Sequence, residues 1–302
     1  MEGSPLVTIQ CLTYNHEKYI RKCLDGFVMQ KTNFRFEAIV HDDASTDGTA
    51  NIVREYADKY PDIIKPIFET ENQYSKSDGS LNRIMYEHTL GKYIALCEGD
   101  DYWTDPYKLQ KQVDYLEQHD DVVCSCHRYQ ILYDQTNEIE LATNIYFDNH
   151  PAETSFEFDL SYPYSKEWIT KTLTVLFRKD AAKNLDIKEF KYFRDIHLIF
   201  SLLSHGKGIC HSFIGGVYRK NKYSVYGSLT RLSQIDTDIA VYSELYNKTN
   251  YYAFKQLLFH LYDQKLFLKR RTRFPLTKIE WEWLLCHIPH KIILKITKIL
   301  KE

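Results

Sequence analysis

Phe36-Glu37-Ala38-Ile39-Val40-His41-Asp42-Asp43-Ala44-Ser45-Thr46-Asp47-Gly48-Thr49 decides the fold. A mostly apolar run, Phe36 to Val40, reads as a buried strand and ends in a cluster of carboxylates. Thr46 or Asp47 then caps a helix carried by Ile52, Val53 and Tyr56 to Lys59, and Pro61 stops it. Asp100 follows Asp43 by 57 residues, inside a second such unit. There Tyr93-Ile94-Ala95-Leu96-Cys97 leads into Glu98-Gly99-Asp100-Asp101-Tyr102-Trp103. Carboxylates crowded at strand ends repel one another and weaken a fold unless something compensates. A divalent cation carrying a diphosphate would do so, because hard cations take oxygen ligands. Open α/β sheets bind ligands beyond the carboxyl ends of their strands, which is where both clusters fall.

The flanking segments extend the same rhythm. Val7 to Thr13 reads as a strand, Tyr14-Asn15-His16 as a turn, and Glu17 to Met29 as a helix with Tyr19, Ile20, Cys23, Leu24 and Phe27 on one side. Ile63 to Phe68 is a short strand, Leu81 to Leu90 a helix ended by Gly91, and Pro106 opens a helix to about His119. Strands alternating with helices imply a mostly parallel α/β sheet flanked by helices. Beyond Asp121 the rhythm changes. Val122 to Tyr133 is a long strand, and Gln135 to Tyr164 reads as an irregular substrate-facing loop. Trp168 to Arg178 reads as strand, Arg194 to His205 as an amphipathic helix, and Gly208 to Arg219 as strand. From Leu229 the pattern is helical to the end, broken by Pro275 and Pro289. This divides the chain into a catalytic domain, 1–225, and a helical basic extension, 226–302.

The chain has 302 residues, 44% hydrophobic and 26% charged, with net charge −2, so nothing in its bulk charge favours nucleic acid. The 24 tyrosines suit sugar stacking as well as burial. Tyr251 to Glu302 carries 11 Lys/Arg against 4 Asp/Glu, a basic tail on an acidic body. Its Lys-spaced helix, Lys291 to Lys301, suits either an in-plane contact with anionic lipid or packing on the protein, including a homodimer contact. The seven cysteines lie mostly in apolar segments and read as reduced thiols. Cys286-His287 with His290 is a lone, structural group. No run reaches the ~18 apolar residues of a spanning helix, and no signal peptide is apparent. The expected location is cytoplasmic, with the inner membrane face as the place for a peripheral contact.

At the paired motifs the chain resembles family 2 inverting glycosyltransferases with the GT-A fold. The resemblance runs over about residues 5 to 220, through Thr8 to Tyr19, Glu37 to Thr49, Gly91 to Trp103 and Arg194-Asp195. The Glu-Gly-Asp-Asp-Tyr-Trp form is similar to that of a subgroup from bacterial surface-polysaccharide loci. The resemblance implies that Asp43 accepts the ring N–H of a uracil or thymine, with Thr13, Asn15 and Glu17 in the same nucleotide pocket. It implies that Asp100 approaches the ribose and diphosphate, that Asp101 ligates Mn²⁺ or Mg²⁺, and that Asp195 is the general base. Arg219 would reach the diphosphate, and Trp103 would stack an acceptor sugar or pack as core. Asn221 stands where relatives often have His, and Arg194 beside Asp195 would lower its pKa. Asp42 and Asp47 read as turn and helix caps, His197 as a structural histidine, and Glu98 as either a loop tie or a site residue.

A positioned base contributes roughly 10²- to 10⁴-fold to such a transfer. The expected activity is transfer from a UDP- or dTDP-sugar to a hydroxyl of a glycan or lipid-linked oligosaccharide in polysaccharide synthesis. A catalytically silent nucleotide-sugar-binding subunit is the alternative. A sugar nucleotidyltransferase would want a Gly-rich basic loop where Tyr14-Asn15-His16-Glu17 stands.

Overall fold

The computed structural model describes residues 3–76, 78–162, 167–183, 190, 193–221 and 229–272. Its chain divides into two compact units, Met1–Gly227 and Ser228–Glu302.

The first unit is built on one mixed sheet. Strands β1 (Val7–Thr13), β2 (Phe36–Asp42), β3 (Ile64–Phe68) and β4 (Tyr93–Leu96) lie in the order β3-β2-β1-β4 and pair in parallel. The connecting helices are α1 (Ile20–Val28), α2 (Thr49–Lys59) and α3 (Ser80–His88). Beyond β4 the sheet continues through β9 (Leu176–Arg178), β6 (Val122–Tyr133), β10 (Lys207–Lys220) and β5 (Tyr102–Trp103). There β6 and β10 are parallel and the other pairings antiparallel. Helix α4 (Lys108–Gln118) precedes β6, and α6 (Asp195–Leu203) precedes β10.

Strand side chains alternate between faces, so consecutive apolar residues supply two cores. Val7, Ile9 and Cys11 of β1, with Ala38, Val40, Tyr93 and Ala95, pack with Leu24 and Phe27 of α1, Val53 of α2 and Leu109 of α4. Ile94, Val123 and Phe177 face the other way, against Ile199 and Leu202 of α6. Ile39 meets Leu81 and Met85 of α3 on that second side of β2. The near-continuous apolar runs of the sequence are thus strands covered on both faces.

Two expectations change. The stretch read as an irregular loop from Gln135 to Tyr164 is structured over its described part, 135–162. It holds β7 (Glu138–Leu141) on β6, helix α5 (Ile145–Asn149) and β8 (Ser155–Phe158) on β10. Its aromatic residues are core: Phe147 and Phe156 are buried and Tyr146 stacks on Phe156 at 4.1 Å. Trp168 to Arg178 is not one strand. Its Thr-apolar alternation is spent on a single 3-10 turn, Thr172–Thr174, before β9.

The second unit contains α7 (Arg231–Thr249) and α8 (Tyr252–Thr272), joined at Asn250, which turns at φ 52°. Ile235, Ile239, Leu258 and Leu261 pack between them, and Lys265 pairs with Asp236 at 2.8 Å. The Lys291 to Lys301 helix, the Cys286 group and the breaks at Pro275 and Pro289 lie outside the described residues. Among the described residues no helix is long and apolar enough to cross a membrane.

Candidate active site

The end of β1 brings the two acidic clusters together. The Asp43 amide donates to the Thr13 carbonyl at 2.9 Å, and the Gly99 amide to the Leu12 carbonyl at 2.9 Å. The clusters therefore hang from adjacent residues of one strand. Neighbouring strands lie ~4.8 Å apart, so the ends of β2 and β4 are separated by roughly 10 Å, within the span of one nucleotide.

Backbone hydrogen bonds fasten the loops around this point. Asn15, at φ 54°, accepts the Thr46 amide on Oδ1 at 2.8 Å and donates its own amide to Ser45 Oγ at 2.9 Å. Asp47 takes the Glu17 amide at 3.1 Å and the Thr49 amide at 3.0 Å. Burial alone would raise the Asp47 pKa, but bonds from Thr49 and Glu17 hold it below the usual range. The Glu17 side chain lies against Gly48, where a Cβ would clash with it. Asn15 and Asp47 thus sew the first turn to the second, and Glu17 remains exposed beside them.

Asp43 is 4% exposed and accepts the amides of Gln73 at 2.6 Å and Tyr74 at 3.0 Å, one on each oxygen. An ionised carboxylate has about four lone-pair sites, so each oxygen keeps capacity for a ligand N–H. Thr13 Oγ1 and His16 Nδ1 are buried and have no hydrogen-bond partner among the described residues. Both face Gly99, where a Cβ would stand 2.7 and 2.8 Å from them. Two orphaned polar groups and a cradle that only glycine leaves open lie between the acidic clusters.

Carboxyl oxygens of Glu98, Asp100 and Asp101 lie within 4.8 Å of one another. Asp101 is buried and takes the Arg219 amide on Oδ1 at 2.7 Å. Its burial, then the charges of Asp100 and Glu98, push its pKa well up. Glu98 is exposed at its tip but set in a concave surface. That enclosure, then Asp100 and Asp195, raises its pKa to about 7, with Lys171 opposing; open water at the tip screens part of this effect. Three clustered carboxylates, hard oxygen donors, fit Mg²⁺ or Mn²⁺.

Arg219 is 9% exposed. Its Nε donates to the Asp100 carbonyl at 3.0 Å and its Nη1 to Asp134 Oδ1 at 3.0 Å. The guanidinium also lies 4.4 Å from the Tyr19 ring centroid, and Tyr19 donates to Asp134 Oδ2 at 2.9 Å. It braces the acidic loop from behind instead of offering a free fork to a diphosphate. Asn221 donates to Asp100 Oδ2 at 3.2 Å.

Asp195 begins α6 and accepts the Ile196 amide at 3.0 Å. It lines a cleft of about 460 Å³ together with Glu98, Leu96, Phe193 and Leu198. Asp195 is solvent-exposed within the cleft, so the upward push of its enclosure on its pKa is partly screened by water, and Lys171 and then Arg194 oppose it. Arg194 is thus a weaker influence than Lys171, a residue the sequence reading missed. Lys171 sits more than 150 positions from Thr8 to Tyr19, in a segment read as strand, and nothing in its spacing marks it. His197 is buried, and its Nδ1 accepts the Arg194 amide at 2.9 Å, a structural role.

Trp103 is core and not an acceptor platform. It is 2% exposed, meets Phe27 edge-on at 5.0 Å, carries the Lys108 ammonium at 4.1 Å, and donates Nε1 to the Leu173 carbonyl at 2.8 Å. With the ring so buried, no sugar can stack there.

Residues 9–185 match the model of glycosyl transferase family 2. The chain belongs to that family. Its likeness to a Mycobacterium tuberculosis protein is 44% identity over 128 residues, 42% of this chain and 36% of that one. The chain thus spans about a third of that relative's length. It is 25% identical over 202 residues to the Bacillus subtilis protein described as putative teichuronic acid biosynthesis glycosyltransferase TuaG, covering 67% of this chain and 73% of that one. The fold is similar to Staphylococcus aureus TarS 1-349 in complex with UDP, with TM-score 0.60, 17% identity, and coverage of 92% of this chain and 78% of that one.

Proposed function

We propose that this family 2 glycosyltransferase is an inverting, divalent-cation-dependent enzyme that moves a sugar from a UDP- or dTDP-sugar to an acceptor hydroxyl in bacterial surface polysaccharide synthesis. The observation that carries the reading is the hub at the end of β1, which hangs Asp43 and the Glu98-Asp100-Asp101 group from adjacent carbonyls. Asp43 accepts the base N–H at one end, with Thr13, Asn15 and Glu17 around the nucleoside. Asp101, with Glu98 and Asp100, holds Mn²⁺ or Mg²⁺ at the other. When bound, the cation supplies Lewis-acid stabilisation of the leaving diphosphate.

Asp195 works from the cleft side. It takes the proton of the acceptor hydroxyl as that oxygen bonds to the anomeric carbon. The bond from that carbon to the phosphate oxygen breaks, and its electron pair leaves with the diphosphate. A single displacement inverts the anomeric centre. Arg219 keeps the acidic loop in place through Asp134 and the Asp100 carbonyl. The basic C-terminal segment is the part of the chain suited to a peripheral contact with the membrane face, where a lipid-linked acceptor would lie.

The test is a release assay over a panel of nucleotide sugars, with and without Mn²⁺. Mn²⁺-dependent release of UDP or dTDP from at least one donor is expected. Absence of turnover with every donor, together with absence of nucleotide binding, sinks the reading.

A further inference from the structure

We propose that Lys171 is a substrate-facing cation of this site, one that balances Glu98, Asp101 and Asp195 before a donor loads and contacts the diphosphate afterwards. This rests on the glycosyl-transfer reading above.

The backbone of Lys171 is fixed by hydrogen bonds, and its ammonium rests on an aromatic ring. It precedes the turn Thr172–Thr174, and its carbonyl accepts the Thr174 amide at 2.8 Å and the Thr174 hydroxyl at 2.7 Å. The turn is pinned from the core: Leu173 O takes Trp103 Nε1 at 2.8 Å, and Thr174 O takes Gln112 Nε2 at 2.9 Å. From that anchor the stem reaches to the ring of Tyr218, whose centroid lies 4.5 Å from the ammonium. Tyr218 precedes Arg219, whose amide sits on Asp101. On the other side, Thr172 lines the cleft that Glu98 and Asp195 line. Lys171 therefore adjoins both the turn residue that lines the cleft and the strand residues that hold Asp101.

Apart from the Tyr218 ring, the Lys171 ammonium has no hydrogen-bond or ion-pair partner among the described residues, and its charge favours ionised Asp195. Arg219, the other cation at this place, is committed to Asp134 and the Asp100 carbonyl. A lysine is a compact point charge on a flexible stem, suited to follow a phosphate group. Once a divalent ion neutralises the carboxylates, the attraction holding the ammonium to them falls and the anionic diphosphate becomes its better partner.

The two roles predict opposite signs. A unit charge several ångströms away changes an affinity by about tenfold at a partly screened site. Lys171→Gln should bind Mn²⁺ alone roughly three- to tenfold more tightly than wild type, read from free Mn²⁺ by electron paramagnetic resonance. The same variant should bind UDP about tenfold more weakly at saturating Mn²⁺, read by calorimetry, and Lys171→Arg should return both toward wild type. Should Gln unfold the chain, Lys171→Met keeps the apolar stem and carries the same two expectations. Unchanged or weaker Mn²⁺ binding, or unchanged UDP binding, in a folded variant overturns the proposal. A wild type that binds Mn²⁺ but no nucleotide overturns the glycosyl-transfer reading instead, and the Mn²⁺ arm still judges the balancing charge.

Discussion

A carboxylate serves as a base only while it is charged, and enclosure works against Asp195. Lys171, the Ile196 amide and Arg194 pull the other way, and the start of a helix also favours negative charge. The net shift is upward, so the charged fraction begins to fall at a higher pH than for a free aspartate. The acid limb of kcat/KM should therefore lie above the ordinary aspartate value of ~4, falling tenfold per pH unit below it. Asp195→Asn should lower transfer by roughly 10²- to 10⁴-fold and leave UDP affinity within about twofold. Retained turnover in that variant would move the base elsewhere. Arg219 is judged differently, because it touches the loop and not the ligand. Arg219→Lys loses the fork to Asp134 and the Asp100 carbonyl, and should lower thermal stability by about 1–3 kcal/mol as well as weaken Mn²⁺ binding. Weaker UDP binding with stability and Mn²⁺ affinity intact would restore the direct diphosphate role.

At the scale of elements, α1 and β5 are held so close that chemistry at Gly26 is restricted. A Cβ on Gly26 would stand 2.9 Å from the Trp103 amide nitrogen and 3.1 Å from its carbonyl oxygen. Neither is a flexible side-chain tip, so Gly26→Ala should force helix and strand apart and cost about 1–3 kcal/mol in chemical denaturation. Trp103→Phe should cost a comparable ~1–3 kcal/mol, since it leaves the buried Leu173 carbonyl without its donor. Acceptor KM should not change in that variant; a large rise in KM at unchanged stability would reinstate the stacking role. These contacts also show what the chain's linear order reveals. The β1, β2 and β4 strands and the acids at their ends were legible because apolar runs, caps and carboxylates lie together within each βα unit. The strand Val122–Tyr133 was legible for the same reason. The elements after it were not, because β7, α5 and β8 owe their form to pairing with β6 and β10 and to the aromatic cluster around Phe156. Trp103 in a functional motif read as either an acceptor-sugar contact or core. Its real partner, Leu173, is 70 residues away. Lys171 escaped notice for a similar reason, since only the folded turn brings its neighbour Thr172 to the cleft that Glu98 and Asp195 line.

For the molecule as a whole, the acidic group is a stability liability that a cation should lift. Glu98 and Asp101 hold their protons to higher pH in the folded chain than in the unfolded one. Between the ordinary carboxylate pKa of ~4 and about 7 the folded state thus binds more protons, so the stability this site contributes is present at low pH and is lost as pH rises through that window. Other groups titrate there too, so the melting temperature in chelator is not by itself a clean readout. The difference made by Mn²⁺ is. Protons compete with the ion for the same oxygens, so Mn²⁺ should raise the melting temperature by several degrees at pH 8 and by clearly less at pH 5. An ion at 100 times its Kd stabilises the folded state by ~2.7 kcal/mol, enough to be seen. Asp101→Asn should abolish the Mn²⁺ increment and, in chelator at pH 8, should melt no lower than wild type, because it removes a repelled charge. An equal increment at both pH values, or one that survives Asp101→Asn, would mean that the ion binds elsewhere on the protein.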